Sequence, residues 1–129
     1  ELLVSVRFPF SPSGVSVGTS FQEISERHGD FAVVAIAAQL KFDNEVCSLA
    51  SISFGGVDDK PIRIPELEAI LTGQVITKER FTKAREVIFD TIRPGSDQHA
   101  TADYRRRVAG ELAIRAIVEA TCEARGGGV

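Results

Sequence analysis

The segment FAVVAIAAQLKFDNEVCSLASISF, residues 31–54, contains two apolar runs of strand length. The first run ends at Phe42, the second begins at Val46, and the polar tripeptide DNE separates them. Valine, isoleucine and phenylalanine favour strands, whereas aspartate and asparagine favour turns. Two strands joined by so short a turn pair antiparallel, so the segment predicts a β-hairpin.

The first run is apolar on both sides of the predicted strand, and it contains alanines at 32, 35, 37 and 38. A strand that is apolar on both sides is typical of a central strand that is covered on both faces. The small alanine side chains indicate that one cover packs closely. Because 129 residues offer little to cover a second face, we expect that second cover to come from a further domain or a partner.

Upstream of the hairpin, residues 2–8 alternate between apolar and other side chains, which predicts a half-buried strand. The proline-, serine- and glycine-rich residues 9–20 predict a loop. SFQEISERHG, residues 20–29, predicts a short helix that Ser20 caps and Gly29 ends. Since the chain opens inside the first predicted strand, we expect it to be a piece of a longer protein.

Downstream of the hairpin, three segments have the apolar spacing of helices. The first begins at Pro65 and ends at Gly73, the second follows a capping Thr77, and the third covers about residues 101–125. We therefore predict one α+β domain, residues 1–129, with an antiparallel sheet of three to four strands packed against helices. One helix precedes the central strands and three follow them.

Composition excludes several classes of protein. A net charge of −3 argues against general nucleic-acid binding. No apolar run approaches the ~20 residues of a membrane-spanning helix, so we expect a cytoplasmic protein with no membrane span. Cys47 and Cys122 lack partners at metal-ligand spacing, which favours two reduced, largely buried thiols and leaves a disulfide open.

Three adjacent arginines, Arg105–Arg107, lie in ADYRRRVAGELAIRAI, residues 102–117. Successive helical residues turn by ~100°, so the three side chains cannot share one direction. Glu111 precedes Arg115 by four residues, the favourable order for a surface ion pair. Two interpretations remain open: a solvated helix face with one or two ion pairs, or a contact of one of the three arginines with an anion or with a neighbouring domain or subunit.

A self-sufficient active site is difficult to assemble from these residues. His28 and His99 lie in polar, turn-like settings, and the adjacent Asp58 and Asp59 resemble a solvated turn. No phosphate loop, zinc spacing or nucleophile elbow is present. A small-molecule enzyme using His28 and Asp30 is therefore the weakest hypothesis, and we predict no catalysis by this chain alone.

Four stretches occur in an order that points to one family: ELLVSVRFP (1–9), RHGDFAVVAIAAQL (27–40), SFGGVDDKPIRIPELEAILTG (53–73) and RPGSDQHATADYRRRVAGELAIRAI (93–117). Together they resemble the C-terminal domain of the FAD-binding medium subunit of molybdenum hydroxylases, such as carbon monoxide and xanthine dehydrogenases. The resemblance implies a fragment that lacks the N-terminal FAD-binding region of its subunit. It also implies partner subunits that carry molybdopterin and [2Fe–2S] centres, and electron flow from iron–sulfur through FAD to an acceptor.

The resemblance also implies where this domain contacts the flavin. The corresponding positions are Phe21, Gln22, Glu23, Arg27 and Asp30. Many members have a tyrosine or lysine here, whereas this chain has Phe21, Gln22 and Glu23. Arg27 either supplies the positive charge that a lysine would, or pairs with Asp30 to close the loop between them. Tyr104 would be buried, with its hydroxyl hydrogen-bonded at the rim of the packing helix.

A second hypothesis comes from a different functional class. The chain would be a non-catalytic interaction module that docks a partner through its exposed sheet face or through the arginine-bearing helix. The alanine-rich strand motivates both hypotheses, because in either case a second protein surface covers it.

Overall fold

An antiparallel sheet carries three helices on one of its faces in a computed structural model that describes residues 2–7 and 14–126. The strand order is β1-β2-β3-β4, and β5 also pairs with β3. The strands are β1 Ser16–Ile24, β2 Val34–Asp43, β3 Val46–Gly55, β4 Ile62–Arg63 and β5 Gln74–Val75. The helices are α1 Pro65–Leu71, α2 Lys78–Thr91 and α3 Ala102–Ala124. The predicted α+β class is confirmed.

The predicted hairpin is formed by β2 and β3. Asn44 and Glu45 make the turn, and Asn44 adopts the left-handed conformation, with φ of 54°, that asparagine tolerates. Leu40 lies opposite Ala50, and one irregularity follows Lys41. The turn chemistry read from the sequence therefore sets the register of the central strands.

Three predicted helices are present at the expected places. Pro65 begins α1, Thr77 is the N-cap of α2, and Thr101 is the N-cap of α3. The Thr101 hydroxyl accepts a hydrogen bond from the backbone N–H of Tyr104 at 3.2 Å. Capping satisfies a backbone donor that a helix start otherwise leaves without a partner.

The core lies between the sheet and α3. Alternate residues of β2, among them Val34, Ile36 and Leu40, are fully buried on this side. Burying a side chain of this size stabilises a fold by about 1.5–3 kcal/mol. The helix meets them with a stripe of small residues: Ala109, Ala113, Ala116 and Ala120. These small side chains let the backbone of α3 approach the sheet closely.

The helix predicted at residues 20–29 is wrong, and so is the last part of the loop predicted before it, residues 16–20; residues 9–13 of that predicted loop lie outside the described residues. Residues 16–24 form β1, which pairs with β2 over nine positions. The period of two was hidden because the side of β1 that faces α3 carries Gly18, Ser20 and Gln22 instead of large apolar residues. Their polar groups are satisfied by α3: Gln22 and Ser20 both donate to the Glu119 carboxylate. Tertiary pairing therefore overrides the local helical pattern.

The strand predicted at residues 2–8 is also wrong where the structure describes it. Residues 2–7 carry no secondary structure, and the remaining position lies outside the described residues. Alternation produces a strand only when a neighbouring strand is available for hydrogen bonding. Leu2 and Val4 are almost fully exposed. The inference that the chain opens within a strand therefore has no support here.

Two predictions about burial need correction. Cys47 is buried but Cys122 is exposed, and both are free thiols. Burial raises the pKa of the Cys47 thiol. Tyr104, expected to be buried, is 38% exposed and lies beside Ile24 at the end of β1.

Candidate functional site

The sheet face opposite the helices is uncovered within the described residues. Antiparallel partners point to the same side, and the register places Phe21 beside Ala37 and Ala37 beside Ser53. We call this surface the bare face, and it comprises Thr19, Phe21, Glu23, Ala35, Ala37, Gln39, Ser51, Ser53 and Gly55, all exposed or half-buried. The expectation that β2 is covered on both faces is met on the helix side only.

The bare face has an unusual composition for an exposed surface. Its centre consists of small side chains, and its largest aromatic group, Phe21, is 63% exposed at one margin. Hydroxyls of Thr19, Ser51 and Ser53 and the amide of Gln39 add hydrogen-bonding groups. A surface of small side chains with an aromatic margin can pack against a flat ligand or another protein surface.

The structure separates the predicted cofactor-contact residues on β1. Phe21 and Glu23 lie on the bare face, whereas Gln22 points towards α3. The Gln22 amide donates to Glu119 Oε2 at 2.6 Å. Hydrogen bonds from Ser20 and then Gln22 lower the pKa of the Glu119 carboxyl. Gln22 therefore joins the strand to the helix and is turned away from Phe21.

Arg27 and Asp30 lie in the loop between β1 and β2, residues 25–33. Its turn is closed by the backbone, because the Asp30 N–H donates to the Arg27 carbonyl at 3.1 Å. The Asp30 carboxylate accepts from the Phe31 N–H at 2.8 Å. Among the ion pairs of the described residues none joins Arg27 to Asp30. The suggested side-chain closure of this loop is wrong, and the Arg27 guanidinium is exposed.

Arg105 is the residue that sequence reasoning placed incorrectly. Its side chain is 10% exposed, and one guanidinium nitrogen donates to the carbonyls of Val33 at 2.6 Å and Gly56 at 3.0 Å. The other terminal nitrogen binds the Asp97 carboxylate at 2.6 Å. One arginine thus ties the start of α3 to the β1–β2 loop, to the turn after β3 and to the segment before α3. The position of Asp97 eight residues earlier offered no signal for this pairing.

The side chains of Arg106 and Arg107 point in other directions, as the turn of ~100° per helical residue requires. The Arg106 guanidinium lies 5.6 Å from the centroid of the Phe89 ring. Arg107 is exposed and makes no ion pair within residues 2–7 and 14–126. The suggested pair of Glu111 with Arg115 is replaced by one with Arg85 on α2, at 2.8 Å. The solvated-face interpretation therefore fails for Arg105 and holds for Arg107.

Asp97 is held as a carboxylate by its surroundings. Hydrogen bonds from the backbone N–H groups of Ala100 and His99, followed by the bond from Arg105, lower its pKa from 3.8 to about 2. An acid with a lower pKa in the folded protein stabilises the fold above its unfolded pKa. That contribution is lost as the pH falls through the folded pKa.

We expect the Asp97→Asn variant to be less stable than the parent above pH 3.8, with a gap that narrows towards pH 2. Asparagine keeps an oxygen that accepts from His99 and Ala100 but loses the charge that binds Arg105. Urea unfolding of both proteins at several pH values measures the gap. A gap of constant size across this pH range would contradict the argument.

Comparison with known proteins decides the family. Residues 19–120 match the family described as the CO dehydrogenase flavoprotein C-terminal domain. The chain belongs to this family. The match runs from within β1 to within α3 and includes every element between them, and it confirms the resemblance identified from the sequence.

Several relatives of the chain are named medium chains or medium subunits. The chain is 30% identical over 97% of its length to the carbon monoxide dehydrogenase medium chain of Afipia carboxidovorans, covering 43% of that protein. It is 32% identical over 93% of its length to the nicotine 6-hydroxylase medium subunit of Paenarthrobacter nicotinovorans, covering 41% of it. The chain therefore spans about two-fifths of the curated relatives it matches.

The fold is shared with solved members of the family. A carbon monoxide dehydrogenase structure from Hydrogenophaga pseudoflava, which lacks the Mo-pyranopterin moiety of its cofactor, superposes with a TM-score of 0.83. That comparison covers 89% of this chain and 39% of the other, at 25% identity. Among the described residues, no helix is long and apolar enough to cross a membrane. No cluster of histidine, cysteine, aspartate or glutamate in those residues could hold a metal ion.

Proposed function

We propose that this domain completes the flavin site of a medium subunit in a molybdenum-hydroxylase-type oxidoreductase. Its bare face lies against the N-terminal FAD-binding region of the same subunit. That subunit passes electrons from iron–sulfur centres through FAD to an acceptor. The molybdopterin and [2Fe–2S] centres reside on partner subunits, and the assembly works in the cytoplasm.

The observation that carries this proposal is the one-sided packing of the sheet. Every helix lies on one face, and the other exposes the small residues Ala37 and Ser53 beside the ring of Phe21. Apolar surface of this kind gains free energy when a second surface covers it. The family match supplies the kind of surface, because related medium subunits extend well beyond the region that this chain matches.

The residues present fit one side of a flavin. Phe21 offers an aromatic face and Ser53 a hydroxyl at the centre of the bare face, while exposed Arg27 offers a cation with no bonded carboxylate in the described residues. No glycine-rich phosphate loop is present in the sequence, so the pyrophosphate would be held elsewhere in the subunit. Bound FAD would supply the redox chemistry, and these residues would position one side of it and exclude water.

Blocking the bare face tests the proposal. We expect the Ala37→Arg variant of the full-length subunit to lose at least about tenfold in FAD affinity. A long charged side chain then stands where the N-terminal region packs, and burying it without a partner is costly. The Ala69→Arg variant is the matched control, because Ala69 is an exposed alanine on α1. FAD content after purification and fluorescence titration provide the measurement.

Equal FAD binding by both variants would refute the role of the bare face. A full-length subunit that takes up no FAD at all would refute the flavin function, and it would favour the non-catalytic docking module.

A further inference from the structure

The loop between β1 and β2 is joined to the loop before α3 by one side-chain pair. The Nδ1 atom of His99 lies 3.1 Å from Oε2 of Glu26. Both side chains are half-exposed. The Gln98 amide nitrogen lies 3.2 Å from the other imidazole nitrogen of His99, which fits an Nδ1–H that donates to Glu26.

The hydrogen bonds of Arg105 also fix the position of His99. Its backbone N–H donates to the Asp97 carboxylate at 2.9 Å, and that carboxylate binds Arg105. Arg105 also donates to the Val33 carbonyl at the far end of the β1–β2 loop. The loop is therefore held at both ends by one connected group of side chains. Glu26 joins near its start and Val33 at its end.

The other side-chain hydrogen bonds of the loop lie within the loop itself: the Ser25 hydroxyl donates to the Arg27 carbonyl at 2.9 Å, and the Asp30 carboxylate accepts from the Phe31 N–H at 2.8 Å. A backbone bond closes the turn from Arg27 to Asp30, and the ring of Phe31 is 95% exposed. Arg27 follows Glu26 directly in the chain. A change in the backbone position of Glu26 therefore changes the backbone position of Arg27.

We propose that His99, through Glu26, is a positioning residue that sets where Arg27 stands at the flavin side of this domain. The inference rests on the proposed flavin function and adds a residue that contacts no cofactor itself. A half-exposed hydrogen-bonded pair contributes little to global stability, so its main effect is local. The clasp, meaning the Glu26–His99 pair, selects one loop position from several that the short turn allows.

The experiment uses the full-length subunit with three substitutions. His99→Ala removes the clasp. Glu26→Gln is the conservative variant, because its amide oxygen still accepts from the imidazole N–H. His28→Ala is the matched control, since His28 lies in the same loop, is exposed, and makes no hydrogen bond within the described residues. Hydrogen exchange of residues 25–33, the FAD dissociation constant and the flavin midpoint potential are measured.

We expect His99→Ala to exchange faster across residues 25–33 and to bind FAD about fivefold more weakly. Its midpoint potential should shift, since the Arg27 charge moves relative to the flavin, and its melting temperature should stay close to that of the parent. Glu26→Gln should retain most of the parent's protection from hydrogen exchange across residues 25–33. His28→Ala should behave like the parent.

Two results would overturn the inference alone while the parent still binds FAD. In one, His99→Ala leaves loop exchange and flavin properties unchanged. In the other, His28→Ala produces the same changes as His99→Ala. A parent subunit that binds no FAD would overturn the proposed function and this inference together.

Discussion

Replacing Gly18 by alanine is expected to destabilise the protein strongly. Gly18 lies on the side of β1 that faces α3, and a Cβ atom added there would stand 1.7 Å from the carbonyl oxygen of Ala120. It would also lie 2.8 Å from the backbone nitrogen of Ala124. Both atoms belong to a helix backbone, so no side-chain rotation relieves the clash. The strand and helix must separate, at a cost of about 3 kcal/mol or more.

Gly55 is the control that separates the steric clash at Gly18 from the general effect of replacing a strand glycine by alanine. At Gly55 in β3 the nearest atom to an added Cβ is the Ala35 Cβ at 3.7 Å, an ordinary contact on the bare face. Gly55→Ala should change the unfolding free energy by less than about 1 kcal/mol. Urea denaturation of both variants measures the difference. Similar midpoints for Gly18→Ala and Gly55→Ala would show that β1 and α3 are not in close contact.

Replacing Arg105 by methionine should have the second largest effect. Methionine roughly keeps the length of the aliphatic stem but removes the groups that donate to Val33, Gly56 and Asp97. The two carbonyls lose their bonds and the Asp97 carboxylate loses its cation. Because Arg105 is buried while Asp97 is 49% exposed, most of the expected cost, about 3 kcal/mol, comes from the two carbonyls that lose their donor.

Arg107 is the control for this substitution. It lies two residues further along the same helix, is exposed and makes no ion pair in the part of the chain that the structure describes. Arg107→Met should unfold at almost the same denaturant concentration as the parent. Thermal unfolding followed by circular dichroism compares the two variants. If both variants lose the same unfolding free energy, the hydrogen bonds of Arg105 do not account for the loss.

The hairpin and the helices could be predicted because their signals are local. The polar turn at residues 43–45 needs no distant partner to be recognised, and neither does Pro65 at a helix start. The order of the four sequence stretches also identified the family, which the match over residues 19–120 confirms. The strand β1 could not be predicted, since its inner side is small and polar and becomes regular only against β2 and the carboxylate of Glu119.

For the candidate site, the sequence indicated that a further protein surface packs on one side of the alanine-rich strand β2. That side is uncovered in the part of the chain that the structure describes. It could not show that Gln22 points away from Phe21, because a one-residue difference in strand position reverses the direction of a side chain. Nor could it separate Arg105 from Arg106 and Arg107, because the hydrogen-bond partners of Arg105 lie outside α3.

By itself the sequence determined the elements whose cause lies within about ten consecutive residues: apolar spacing, turn residues and helix caps. Only the tertiary structure decided the strand β1, the burial of Arg105 and the clasp between Glu26 and His99. Each of these depends on atoms 70 or more residues apart or on a partner strand. The free energy of such contacts appears only when the chain has brought both sides together, so no local pattern carries it.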